Sequence, residues 1–180
     1  MVFFDRDGVL NEDRDWVGTR ERFCWTDGAK DAVQLVNDAG LHAFLVTNQA
    51  GVARGLYAET DVRDLHRVMA EELLAYGGTL DDIRYCPFHP DAVVDAYRRE
   101  SNWRKPEAGM IADLIGKWAV DLTGSFLVGD KESDLQAART ANITGHLFSG
   151  GNLCDFVRRR LFPAIESVAH GSPFGIATCS

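Results

Sequence analysis

Asp5 and Asp7 stand one residue apart where an apolar run ends, in MVFFDRDGVLNED. Side chains at i and i+2 of an extended strand point to the same side, so these two carboxylates repel each other. A divalent cation, a shared proton or a phosphate-processing site would give that repulsion a purpose. A strand end followed by a polar turn at Gly8 accounts for the same residues without chemistry. Three further groups resemble this one in setting. Thr47-Asn48 closes the run HAFLV, Arg104-Lys105 sits in WRKP, and Asp130 ends SFLVGD with Lys131 and Asp134 after it. Singly they read as a turn pair, a solvated basic pair and an acidic first turn favoured by a helix dipole. Together, in this order and at the ends of apolar runs, they point to a site.

A phosphate monoester brings them under one scheme. Its hydrolysis needs a nucleophile, charge neutralisation and a proton for the leaving group. Asp5 is the candidate nucleophile, forming an aspartyl-phosphate. A carboxylate attacking an anion needs a cation beside it, and Mg2+ takes one or two carboxylates plus other oxygens. Asp5, Asp130 and the Asp7 main-chain carbonyl are the expected ligands. The Asp7 side chain is then left to act as general acid and later as base, because crowded carboxylates push their pKa values apart. Thr47 and Asn48 offer a hydroxyl and an amide to the phosphoryl oxygens, and Lys105 neutralises them. Arg104 can fork onto a second anionic group. Asp134, one helical turn after Asp130, is expected to orient metal waters or Lys105, and Lys131 to touch the leaving group.

These residues need a scaffold, and the hydrophobic pattern supplies one. Apolar runs at Val2–Phe4, through HAFLV to Thr47, at 83–86, at 125–128 and at 146–148 predict strands. Helical spacing predicts helices over Ala29–Ala39, from a Thr60 cap to about Ala75, over Ala108–Trp118, over Ser133–Ala141, and from an Asn152 cap through Arg159. Alternating strands and helices argue for an α/β fold, a parallel sheet with helices on both faces. Ligands of such sheets bind beyond the carboxyl ends of the strands, where the polar groups fall. At 180 residues and 46% hydrophobic, the chain is read as one soluble domain, 1–180, with 162–180 as a tail. A net charge of -8 argues against nucleic-acid and anionic-membrane partners but not against a small anionic substrate. The scattered Cys24, Cys86, Cys154 and Cys179, the absence of an N-terminal signal and of a membrane span predict a reduced, cytoplasmic protein, expected to be a monomer.

DRDGVLN, TNQAGVARG, RKPEAGM and VGDKESDLQAA resemble, in order, the four motifs of the haloacid-dehalogenase-like phosphatases. More narrowly they are similar to the histidinol-phosphate and heptose bisphosphate phosphatase subgroup. The resemblance runs from about Val2 to Phe148. It implies a Rossmann-like, doubly wound core with no large cap domain. It implies Asp5 as nucleophile, Asp7 as acid/base, and Asp5, the Asp7 carbonyl and Asp130 as Mg2+ ligands. It implies that Thr47, Asn48, Gln49, Ala50 and Lys105 surround the transferred phosphoryl group. Asp13, Arg14, Asp15 and Trp16, with Arg104 and Lys131, would meet the substrate.

One departure stands out. Many members carry a zinc-holding loop before RKP, with a C-x-H and a C-x-C pair. Here the stretch is CPFHPDAVVDAYRRESNWRKP: Cys86 remains, Phe88 takes the histidine position, and Ser101 and Trp103 take the cysteine positions. Cys86 and His89 cannot close a tetrahedral site alone, so no structural zinc is expected, with Phe88 and Trp103 packing in its stead. The expected substrate is a small phosphorylated metabolite. D-glycero-D-manno-heptose 1,7-bisphosphate, cleaved at C7, comes first; histidinol phosphate, an amino alcohol ester, and other sugar phosphates are alternatives. A non-catalytic binding domain of the same fold would have lost Asp5, Asp7, Lys105 or Asp130, and all four are present.

Overall fold

The computed structural model describes residues 1–118 and 122–162. Most of the tail assigned to 162–180 therefore lies outside the described residues. Five strands form one sheet: β1 (Val2–Phe4), β2 (Ala43–Asn48), β3 (Asp82–Cys86), β4 (Phe126–Gly129) and β5 (Thr144–Leu147). Their spatial order is β3-β2-β1-β4-β5 and every pairing is parallel. The chain lays β2 and β3 to one side of β1 and then crosses to lay β4 and β5 on the other. The switch point thus lies between β1 and β4, where Phe4 pairs with Val128.

β1 is only three residues long because all three side chains are buried and the fourth position is Asp5. Its pleat splits the core in two. Val2 and Phe4 join Leu45 and Val128 on the face covered by α1 (Ala29–Asp38), α3 (Glu59–Tyr76) and α6 (Leu153–Leu161). Phe3 joins Phe44, Val46 and Leu127 on the face covered by α4 (Gly109–Trp118) and α5 (Glu132–Thr140). Each such buried aromatic or aliphatic side chain stabilises the fold by roughly 1.5–3 kcal/mol. β1, apolar on both sides, is the central strand expected of a doubly wound sheet.

Some boundaries differ from the pattern-based expectation, for local reasons. α3 begins at Glu59, ahead of the Thr60 cap, because the Asp61 carboxylate reaches back and accepts from Ala58 N at 2.8 Å. β5 begins at Thr144 rather than His146, since its register is set by pairing Thr144 with Phe126. α2 (Ala50–Ala53) escaped the pattern, being a single turn too short to show a period. Asp5 and Asp7 do not owe their placement to a strand pleat. β1 ends at Phe4 and the chain turns at once, with Asn11 N donating to Arg6 O at 2.9 Å and Gly8 N to Asn11 O at 2.7 Å.

Asn152 does cap α6, accepting from Asp155 N at 3.1 Å, and its amide also donates to Asp27 Oδ2 at 3.1 Å. Asn152→Ala removes both contacts. The expected cost is about 1–2 kcal/mol in denaturant unfolding, with Mg2+ affinity unchanged because neither lost contact involves a candidate ligand.

Candidate active site

The carboxyl ends of β1, β2 and β4 converge, and the polar residues after them meet. Asp5 N still donates to Val128 O at 2.9 Å, which holds its carboxyl beside the end of β4. Asp5, Asp130 and Asp134 bring carboxylate oxygens within 4.8 Å of one another. Lys105 comes from the loop before α4 and is the one buried lysine among the described residues. Its ammonium lies 2.7 Å from Asp5 Oδ1 and 2.6 Å from Asp134 Oδ1, and donates to Val46 O at 2.9 Å. Two carboxylates therefore face one buried ammonium, with the third, Asp130, close beside them.

This imbalance sets the electrostatics. Burial pushes the Asp5 carboxyl up to about 7; Lys105 opposes the shift, while Asp134 and Asp7 add to it. Burial also raises Asp130, against the pull of Lys131. For Lys105, burial disfavours the charge, but Asp5 and Asp134 outweigh it and hold the pKa above the ordinary lysine value. Asp130 Oδ1 is buried without a hydrogen-bond partner. Three carboxylates crowded together and an Asp130 oxygen with no partner suit a divalent cation with oxygen preference. Gly8 lines the same corner at φ +84°. A β-carbon there would lie 2.4 Å from Asp130 Oδ2, so only glycine leaves room for that carboxylate.

The structure divides the remaining expected residues into groups. Asp134 is engaged by protein: Oδ2 accepts from Lys131 N at 3.0 Å while Oδ1 faces Lys105. That fits its expected orienting part. Asn48 is locked to the Lys105 backbone, donating to its carbonyl at 2.9 Å and accepting from its amide at 3.0 Å. Gln49, expected beside the phosphoryl group, is buried. Its amide nitrogen donates to Asp7 Oδ2 at 2.9 Å and Thr47 Oγ1 at 3.0 Å, and its oxygen accepts from Tyr57 Oη at 2.8 Å. Its side chain thus braces two site residues instead of reaching outward. Thr47 is buried at the end of β2, and Ala50 opens α2.

At the rim, Lys131 bridges Asp13 at 3.2 Å and Asp130 at 3.4 Å. Arg14 pairs with Glu12 at 2.6 Å, and Asp15 N donates to Asp13 Oδ1 at 3.3 Å. Asp15 and Trp16 both adopt positive φ, 50° and 56°. Such strain in non-glycine residues gathers at ligand-binding loops. Trp16 is partly exposed, with the Arg54 guanidinium 5.2 Å from its ring centroid. Arg104 is half-buried, and its Nη1 is buried without a hydrogen-bond partner. Burial and then Arg54 lower its pKa, and burial, Arg104 and Arg54 lower that of His89, so the two guanidiniums lie near a neutral imidazole. Sequence reasoning missed Arg6, Asn11, Arg54, Tyr57 and His66. An arginine between two aspartates reads as surface, and no spacing rule brings His66 of α3 to it.

Within the loop from Cys86 to Trp103, rings, charges and hydrogen bonds make the contacts. Phe88 and Trp103 pack on the second core face, as expected. The Arg99 guanidinium lies 3.6 Å from the Phe88 ring centroid, and Tyr97 Oη donates to Glu59 Oε2 at 2.8 Å. His89 Nδ1 accepts from Asp91 N at 3.0 Å. Cys86 and His89 offer two of the four ligands a zinc site needs.

Comparison with known proteins agrees with this geometry. A HAD-hydrolase-like family model matches residues 102–156. A D-glycero-beta-D-manno-heptose-1,7-bisphosphate 7-phosphatase of Rhodopseudomonas palustris is 48% identical over 160 residues, 89% of either chain. A D-glycero-alpha-D-manno-heptose-1,7-bisphosphate 7-phosphatase of Burkholderia mallei is 38% identical, over 93% of this chain and 86% of its own. The solved D,D-heptose 1,7-bisphosphate phosphatase of B. bronchiseptica, complexed with magnesium and phosphate, superimposes with a TM-score of 0.75 at 34% identity. It spans 99% of this chain and 90% of its own.

The carboxyl at Asp5 gives the cation site a pH dependence. Below about 7 a proton competes for the Asp5 oxygens. Mg2+ affinity measured by calorimetry is expected to weaken about tenfold per pH unit below that value and level off above it. The sign for stability follows. A raised carboxyl pKa favours the cation-free fold at low pH, and that contribution is lost as pH rises from 3.8 towards about 7. The stabilisation added by Mg2+ should grow across the same window. An affinity independent of pH would remove Asp5 from the ligand set.

Proposed function

The chain belongs to the haloacid-dehalogenase-like phosphatases, and from that membership we propose that it is a Mg2+-dependent phosphatase removing the C7 phosphate of D-glycero-D-manno-heptose 1,7-bisphosphate. The observation that carries the reading is the buried Asp5 at the switch point, flanked by Lys105 and by the unpartnered oxygen of Asp130. Asp5, the Asp7 carbonyl and Asp130 would hold Mg2+. Bound there, the ion offsets the repulsion between a carboxylate and a phosphate dianion.

The protein groups then divide the work. An Asp5 oxygen forms a bond to phosphorus as the bond to the sugar oxygen breaks, and Asp7 gives its proton to that oxygen. Water next attacks phosphorus, the Asp5–phosphorus bond breaks, and the water proton passes to Asp7. Thr47 and Lys105 steady the phosphoryl oxygens, Asn48 and Gln49 fix Lys105, Thr47 and Asp7, and Asp134 fixes Lys105. Asp13 to Trp16 and Lys131 border the leaving group. Arg104 receives the phosphate that is not transferred, since its buried Nη1 has no partner within the protein. The nearness of Arg54 to Arg104 weighs against histidinol phosphate, whose ammonium would meet like charges there.

The test is an initial-rate comparison with Mg2+ across heptose bisphosphate, histidinol phosphate and other sugar phosphates. Arg104→Ala should cost the bisphosphate about 10- to 150-fold in kcat/KM, from a lost charge-assisted bond worth ~1.5–3 kcal/mol. A simple aryl phosphate, lacking the second phosphate, should lose little. Equal losses would put Arg104 on the transferred group. Asp5→Asn should fold and be nearly inactive.

We also infer that the loop from Cys86 to Trp103 holds without zinc, supported by the Arg99 contact with Phe88 and the Tyr97 bond to Glu59. Elemental analysis of untagged protein is expected to find no stoichiometric zinc, and chelation to leave the unfolding temperature of the Mg2+-free protein unchanged. One zinc per chain retained through dialysis would overturn the inference.

A further inference from the structure

Arg6 lies between the two aspartates of the site and is entirely buried, the largest side chain so enclosed. Its Nη2 donates to Asp7 Oδ1 at 3.0 Å and Oδ2 at 3.1 Å, and its Nε to Oδ1 at 3.3 Å. Nη2 also donates to Val17 O, closing off the loop that carries Asp13 to Trp16. On its far side Nη1 meets His66 Nε2 of α3 at 3.4 Å. Asp7 is the carboxylate within ion-pair distance of Arg6 among the described residues.

Other groups complete a cage on the protein side of Asp7. Asn11 Nδ2 donates to Oδ1 at 3.0 Å and Gln49 Nε2 to Oδ2 at 2.9 Å. Tyr57 steadies Gln49, and its ring is seated between Gly18 and Gly51, where a β-carbon on either would lie 2.2 Å from ring atoms. Within this cage the Asp7 side chain keeps 20% exposure, whereas Arg6 has none. His66 is held neutral by burial and by Arg6 itself, so it can accept from the guanidinium without repelling it.

We propose that Arg6 is the positioning residue of the acid/base aspartate: it fixes the Asp7 carboxyl so that its free edge meets the leaving-group oxygen. Burying a guanidinium is costly, and an apolar residue of similar volume would often serve the fold as well. A fork onto both oxygens, with one arm on the Val17 carbonyl, sets the plane of the carboxyl as a point charge or an apolar side chain cannot. The proposal rests on Asp7 being the acid and base.

Leaving-group dependence tests it. kcat/KM reports steps up to the release of the alcohol. An aryl phosphate leaves without a proton, whereas an alkyl phosphate such as a sugar phosphate needs one. Asp7→Asn serves as the reference and should harm the alkyl ester far more than the aryl ester. Arg6→Met should follow the same pattern, with an alkyl loss exceeding the aryl loss by about tenfold or more. Arg6→Lys, which keeps the charge but not the fork, should fall between Arg6→Met and wild type; it is the variant read if Arg6→Met does not fold. Circular dichroism and Mg2+ affinity should stay near wild type. Equal losses on both esters in Asp7→Asn refute the acid assignment, and the proposal with it. A leaving-group effect in Asp7→Asn with equal losses, or none, in the Arg6 variants overturns the proposal alone. So does failure of both Arg6 variants to fold, which would leave the guanidinium a duty to the fold only.

Discussion

An ammonium buried among carboxylates is the constraint around which this protein is arranged. Lys105 arrives from a loop far along the chain, yet its charge lies against Asp5, Asp134 and the Val46 carbonyl. Breaking one partner of such a buried set leaves an uncompensated charge, so the loop before α4, the end of β2 and the start of α5 are fixed relative to β1. Asn48 reinforces the link by pairing twice with the Lys105 backbone. In the same arrangement Asp130 Oδ1 has no partner and Asp5 is driven towards its protonated form. Stability and readiness for a divalent ion thus come from one set of contacts.

What the sequence made legible was whatever depends on strand ends. Asp5, Thr47 and Asp130 each follow a short apolar run, and a parallel sheet brings such ends together. The Asn152 cap was legible for a similar reason, because its bond to Asp155 N is local. Partners reached through the fold left no such trace. Arg6 meets His66 across 60 residues, and Arg99 meets Phe88 inside an irregular loop with no period to read. Gln49 shows the opposite difficulty. Its motif marks it as part of the site, but only the geometry shows its amide turned inward onto Asp7 and Thr47.

The rim is built from charges and rings, with little apolar cover. Lys131 holds Asp13 against the end of β4, Arg54 lies over Trp16, and Arg104 keeps a nitrogen unpartnered nearby. Two successive residues at positive φ carry the loop around this corner. Surface ion pairs of this kind contribute little to stability. On the proposed function their value would lie in presenting donors of fixed geometry to an anionic substrate.

The strand order has a consequence for the timing of synthesis. β1 emerges first and pairs with β2, which in turn pairs with β3, but its other edge stays open until β4 is made. A nascent chain released through Lys105 already holds Asp5 and its ammonium partner, yet lacks Asp130 and Asp134. Domains made from the N-terminus fold as units once their long-range contacts can close. β4 and α5 therefore close the open edge of β1 and bring Asp130 and Asp134 to Asp5 in the same event, before β5 and α6 extend the sheet and its cover.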